Sequence, residues 1–291
     1  MKLVTAIITT HNRKDLLKRA INSVLQQTYS NIELIVVDDC STDETCDLCK
    51  NFPLQYIFIP QKESKGGNYA RNLGIKAAKG EYIAFLDDDD YWLPEKIEKQ
   101  VNLLESKNCE LVYCSSTLEI ISKDSIKYRD VLPNPLYQGD MHKKILLNIC
   151  CTTSNILVKR TALFEVGLFD ENLRFWQEYE LTIRLAQRKP FYFVNSPLSI
   201  YRIDSQDPQR LTNKYYKWKN AVNYIYKKHA SLYAQLNFIE KLQAYILYLG
   251  DAMTRCKNAG LIPQYYSKKI LWFIFSFPFR VINKIKISFK K

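Results

Sequence analysis

The 291-residue chain holds only 8 glycines and 10 prolines, which excludes collagen-like and low-complexity classes. It has no run of 18 or more apolar residues, so no transmembrane helix is expected. The nearest candidate, residues 270–279, is ten residues long and contains Pro278. No secretory leader is expected either. Lys2 precedes a short apolar run from Leu3 to Ile8, and the polar stretch His11-Asn12-Arg13-Lys14-Asp15 follows at once. The expectation is a cytoplasmic protein with reduced thiols. The eight cysteines then read as structural thiols. Cys46-x-x-Cys49 is included, since no matching His/Cys pair lies nearby at zinc-finger spacing.

Acid is missing from one end. No Asp or Glu follows Asp251, whereas that end carries nine Lys or Arg of a +12 net charge, leaving +3 for residues 1–251. Such a tail suits an anionic lipid surface, and nucleic acid is not expected as a partner. What remains is ordinary globular composition, 47% apolar and 25% charged, enough for one large domain or two small ones.

The first 90 residues alternate regularly. Residues 3–9 are a short β-branched apolar run, read as a buried strand, and 32–37, 55–59 and 82–86 read as three further strands. Leu16, Leu17, Ala20, Ile21, Val24 and Leu25 recur at helical spacing, giving a helix over 14–27. Residues 41–44 read as a helix start, and 67–79 as a helix with Gly80 as its C′ stop. Alternating strands and helices predict an α/β fold whose mostly parallel sheet is flanked by helices. Further on, helices are expected at 94–107, 140–148 and 177–188, strand material at 111–125, 154–158 and 191–201, and helix from 209 to 259.

In an open α/β sheet, ligands bind beyond the carboxyl ends of the strands. Strand one is followed by Thr9-Thr10-His11-Asn12-Arg13, strand two by Asp38-Asp39-Cys40-Ser41, and strand four by Asp87-Asp88-Asp89-Asp90. Adjacent carboxylates raise one another's pKa unless a counter-charge is present. A divalent cation supplies one: Mg²⁺ or Mn²⁺ takes one or two carboxylates plus substrate phosphates. Asp87 and Asp89 share a side of an extended segment. A solvated acidic turn that caps the following helix is the plainer alternative.

These motifs carry a resemblance. Residues 6–13 (AIITTHNR), 23–28 (SVLQQT), 33–43 (ELIVVDDCSTD), 70–74 (ARNLG) and 80–90 (GEYIAFLDDDD) occur in the order and spacing of a family-2 glycosyltransferase of the GT-A fold. That family is inverting and nucleotide-sugar-dependent, and the likeness covers about residues 3–205. The resemblance implies that Thr9 and Asp39 contact the nucleotide base, typically uracil, with Asp38 close by and Arg71 reaching the nucleotide. It makes Asp87-Asp88-Asp89 the DxD element, with Asp88 near the ribose and Asp89, beside Asp87, holding the metal on the diphosphate. On the acceptor side, residues 169–171 and 176–181 resemble the element that carries the catalytic base. The usual acidic pair there is Gln177-Glu178 in this chain, which makes Glu178 the base; a helix-start acid is the plainer reading. Glu180 reads as structural.

Two departures stand out. Gln177 replaces the usual acid, and Asp204 stands where the family often has a His that reaches the metal or diphosphate. Arg202 is a candidate phosphate contact or a surface charge. The chain is expected to comprise a catalytic domain over 1–205 (nucleotide half 1–93, acceptor half 94–205), a helical extension over 206–260, and an apolar, basic tail over 261–291. The tail, with Trp272 and Phe273 to Phe279 preceding Arg280, Lys284 and Lys286, fits a peripheral segment on the inner face of the cell membrane. This would suit a glycan or lipid-linked acceptor in bacterial polysaccharide synthesis. Two rivals are a sugar nucleotidylyltransferase, disfavoured by the absence of glycine after strand one, and a non-catalytic protein on a degenerate scaffold, disfavoured by intact Asp39, Asp89 and Glu178.

Overall fold

A computed structural model describes residues 1–204, 206–207 and 214–288, the last nine as backbone. The chain divides into two compact units. The first comprises residues 1–145 and 149–207, the second residues 146–148 and 208–291.

The first unit is built on one sheet. Its leading half is parallel: β3 (Gln55–Ile59), β2 (Ile32–Asp39), β1 (Val4–Thr10) and β4 (Tyr82–Asp87) lie side by side in that order. Their apolar runs are sandwiched between helices, so nearly every residue of β1 and β4 is buried. Helix α1 (Lys14–Leu25) covers one face with Leu17, Ala20, Ile21 and Val24. Short α2 (Thr45–Cys49) follows β2 and α3 (Gly67–Ala77) precedes β4. Beyond β4 the sheet is mixed. β8 (Ile156–Lys159) is antiparallel to β4, then come β6 (Leu111–Ser122), the long β9 (Phe191–Asp204) and the two-residue β5 (Tyr91–Trp92). β7 (Ser125–Val131) folds back on β6 as a fully exposed hairpin strand. Helices α4 (Lys96–Lys107), α5 (Arg160–Glu165) and α6 (Gln177–Ala186) complete the unit.

Two local expectations change. Gly80 is not the stop of α3, which ends at Ala77 with an extended Ala78 as cap. Instead the Gly80 amide donates to Thr5 Oγ1 at 2.9 Å, and a Cβ there would lie 2.6 Å from the Thr5 nitrogen. Glycine is needed for close approach to β1. Over 140–148 only a 3₁₀ turn forms, Lys144–Leu147, because the Asp140 carboxylate accepts from the His142 amide and closes a local turn. The run from 209 to 259 is helical as expected, in three helices, α7 (Tyr215–Lys228), α8 (Ala230–Ala234) and α9 (Phe238–Asn258), with 209–213 outside the described residues. The α9 start carries a reciprocal Asn237–Glu240 capping box, a local signal that begins a new helix there.

The second unit is helical. α7 and α9 pack through Trp218 stacked on Tyr248 at 5.6 Å, and α10 (Ile262–Ser288), with Pro278 inside it, packs along α9. No helix among the described residues is long and apolar enough to cross a membrane.

Candidate active site at the carboxyl edge of the sheet

Parallel register brings the strand ends together. Thr9 sits opposite Asp87 on one side and Val37 on the other, and Thr10 opposite Asp38. The three polar clusters expected from the sequence therefore share one edge. Asp38 is buried and accepts from Tyr56 Oη at 2.7 Å and from the Ser41 amide at 2.8 Å, which closes the turn after β2. Asp39 points otherwise: its buried Oδ1 has no hydrogen-bond partner among the described residues, an unsatisfied acceptor at the strand end.

Three of the four acids at the end of β4 are met by arginines of the chain. Arg71 Nη2 lies 2.6 Å from Asp87 Oδ1. Arg13 Nη1 lies 3.2 Å from Asp88 and 3.1 Å from Asp89, and its Nη2 lies 2.9 Å from Asp207. Asp88 also accepts from Thr10 Oγ1 at 2.8 Å. Burial, then the charge of Asp89, still pushes the Asp88 carboxyl up to about 7, against the pull of Arg13. Asp89 is raised by burial and by Asp87. Asp90, almost fully buried, is held by Ser154 Oγ at 2.6 Å and the Arg202 amide at 3.0 Å, and burial raises it well above the carboxylate range. Asp90 thus ties the turn after β4 to β9.

Asp87 and Asp89 keep about a third of their side chains exposed, 31% and 29%, and each gives one oxygen to an arginine. No group of three His, Cys, Asp or Glu able to enclose an ion is found among the described residues. Two half-exposed carboxylates fit Mg²⁺ or Mn²⁺, which keep several ligands for water or phosphate.

The acceptor-side element is tied to α3. Asn72 exchanges hydrogen bonds with the Phe169 backbone at 2.9 Å in both directions and donates to Glu171, while Asn68 donates to the Asp170 and Leu173 carbonyls. Arg71, besides Asp87, donates to Gln177 Oε1 at 2.6 Å. One guanidinium so joins the strand-end acids to the first turn of α6, where Glu178 is half-buried. Trp176, just before it, takes a left-handed φ of 53°, a conformation that costs a bulky residue about 1–3 kcal/mol. Glu180 is fully buried and paired with Arg184 at 2.7 Å; Arg184 also holds the Val166 and Leu168 carbonyls. Arg202 pairs with Asp204 at 2.7 Å.

Sequence reasoning overlooked Arg13, Asn68, Asn72 and Asp90 as working parts. Arg13 had a signal, four acids needing a nearby cation. The asparagines had none, because their partners lie about a hundred positions away.

A parallel half-sheet with an acidic rim, continued by a mixed half-sheet, is the GT-A form of the nucleotide-sugar transferase fold. The profile of glycosyl transferase family 2 matches residues 5–167. In the Escherichia coli protein WfaP, UDP-Glc:alpha-D-GlcNAc-diphosphoundecaprenol beta-1,3-glucosyltransferase, 40% of 170 aligned residues are identical, spanning 57% of this chain and 64% of WfaP. The putative teichuronic acid biosynthesis glycosyltransferase TuaG of Bacillus subtilis is 27% identical over 272 residues, 87% of this chain and 97% of TuaG. The solved mannosyltransferase PcManGT of Pyrobaculum calidifontis superposes with a TM-score of 0.59 at 16% identity, covering 94% of this chain and 84% of PcManGT. The chain belongs to glycosyl transferase family 2.

Proposed function

We propose that the protein transfers a sugar from a nucleotide-sugar, UDP-linked in the first instance, to a hydroxyl of a glycan or lipid-linked glycan, with inversion, in bacterial surface polysaccharide assembly. The observation that carries this reading is the Arg71 bridge, which brings a strand-end acid and the neighbour of Glu178 into one constellation. WfaP, by its name, uses UDP-Glc and a diphosphoundecaprenol-linked acceptor, and PcManGT was solved with GDP-Man and Mn²⁺; both support it.

In this reading Asp39 Oδ1, the unsatisfied acceptor, takes an N–H of the base, with Thr9 and Asp38 beside it and Asp88 towards the ribose. Asp87 and Asp89 hold Mg²⁺ or Mn²⁺, which when bound supplies positive charge to the departing diphosphate. Arg13 and Arg71, already at these acids, are the chain's own cations for the same charge. Glu178 accepts the proton of the acceptor hydroxyl as that oxygen attacks the anomeric carbon on the face opposite the leaving group. A lipid-linked acceptor would be met at the inner face of the cell membrane.

The test is Glu178→Gln. UDP affinity by calorimetry with Mn²⁺ should stay as in the wild type. Turnover, scored as UDP released in the presence of a GlcNAc-diphospho-lipid acceptor, should fall about 10²–10⁴-fold. Near wild-type turnover would place the base elsewhere.

A further inference from the structure

Helix α10 has two unlike faces. One is spent on α9: Phe275 meets Tyr245 edge-on at 5.6 Å, Trp272 lies against Gly250, and Ser276 is buried. The other is apolar and more than half exposed at most positions. Ile262, Tyr266, Ile270, Phe273, Ile274 and Phe277 are between 49% and 60% exposed. Steps of three and four residues put them in one stripe along the helix. Contiguous apolar surface of this kind marks an interaction site.

Charge indicates the occupant. The stripe lies in the part of the chain that holds nine Lys or Arg and no acid, with Lys257, Lys268 and Lys269 before Phe273 in sequence and Arg280, Lys284 and Lys286 after Phe277. Pairing two copies through this face would bring two acid-free basic ends together, whereas an anionic surface supplies the missing counter-charge. Spanning is excluded differently. The 27 residues of α10 would reach about 40 Å at 1.5 Å per residue, yet no described helix is apolar enough to cross. A long helix with one apolar stripe among basic residues lies in the plane of the interface.

We propose that α10 docks this stripe into the headgroup region of an anionic bilayer. The proposal deepens the reading of a lipid-linked acceptor by naming the surface that would bring the enzyme to it. Its test uses neither donor nor acceptor, so the two fail separately.

The full chain is floated with vesicles of phosphatidylcholine alone and of phosphatidylcholine mixed with phosphatidylglycerol. It should rise with the anionic vesicles and be released by salt. The double variant Ile274→Glu/Phe277→Glu should bind them at least about tenfold more weakly, while keeping the wild-type thermal midpoint, since both side chains are exposed. Absence of flotation, equal flotation with neutral vesicles, or unchanged binding of the variant would overturn the proposal. So would a concentration-dependent dimer in sedimentation that the variant dissolves, which would give the face to a second copy.

Discussion

Lys96 has no exposed surface. Its ammonium donates to Gln100 Oε1 at 2.7 Å and stands 4.1 Å from the centre of the Trp92 ring. Gln100 and Trp92 donate in turn to the Asn155 and Ser154 carbonyls, so this cation sits behind the turn that holds Asp90. Burial lowers its pKa from 10.5 to about 8. The unfolded chain therefore binds more protons than the folded one between those values, and stability rises with pH through that window. The total is about 3 kcal/mol for a shift of this size. Urea midpoints taken below and above pH 8 should show the rise in the wild type and its loss in Lys96→Met. A parallel rise in both proteins would assign it to other groups. At this scale the sequence exposed the acids but not their partners. Asp87–Asp90 stood out as four charges in a row, whereas Arg13 meets Asp207 across 194 positions and Asp90 meets Arg202 across 112. Only folding brings such groups within reach.

Elements written in local pattern were legible. β1, β2 and β4 are β-branched runs bounded by polar clusters, and their parallel register follows once helices separate them. Helix ends were harder, because tertiary contacts set them. Gly80 shows this: a glycine after a helix suggests a stop, yet its place is fixed by the passing β1 backbone. Gly80→Ala would put a methyl 2.6 Å from the Thr5 nitrogen and 2.9 Å from the Leu3 carbonyl oxygen. Backbone atoms cannot rotate aside, so we expect a loss of about 1–3 kcal/mol in chemical denaturation. An unchanged midpoint would mean the strand yields freely. The tie between α3 and residues 169–173 was equally hidden. The motif around Arg71 and Asn72 suggests nucleotide contact, but Asn72 within it and Asn68 just before it are engaged with the acceptor element instead.

Over the whole molecule, charge and shape were read unequally. The basic, acid-free end is plain in the composition, but whether its aromatics face a neighbour or solvent depends on how α10 lies on α9. Pro278 lies inside α10 and does not end it. The acids at the sheet rim present the opposite case, a cluster that looks as if it needs an ion to exist at all. Arg13 and Arg71 already stand there as internal counter-ions. A preparation stripped with EDTA should then melt at the same temperature as a Mn²⁺-loaded one in scanning calorimetry while losing its affinity for UDP, and a collapse of the melt would show that the arginines do not suffice. Removing and restoring a cation should then be reversible handling rather than denaturation, because the chain balances these charges with its own side chains.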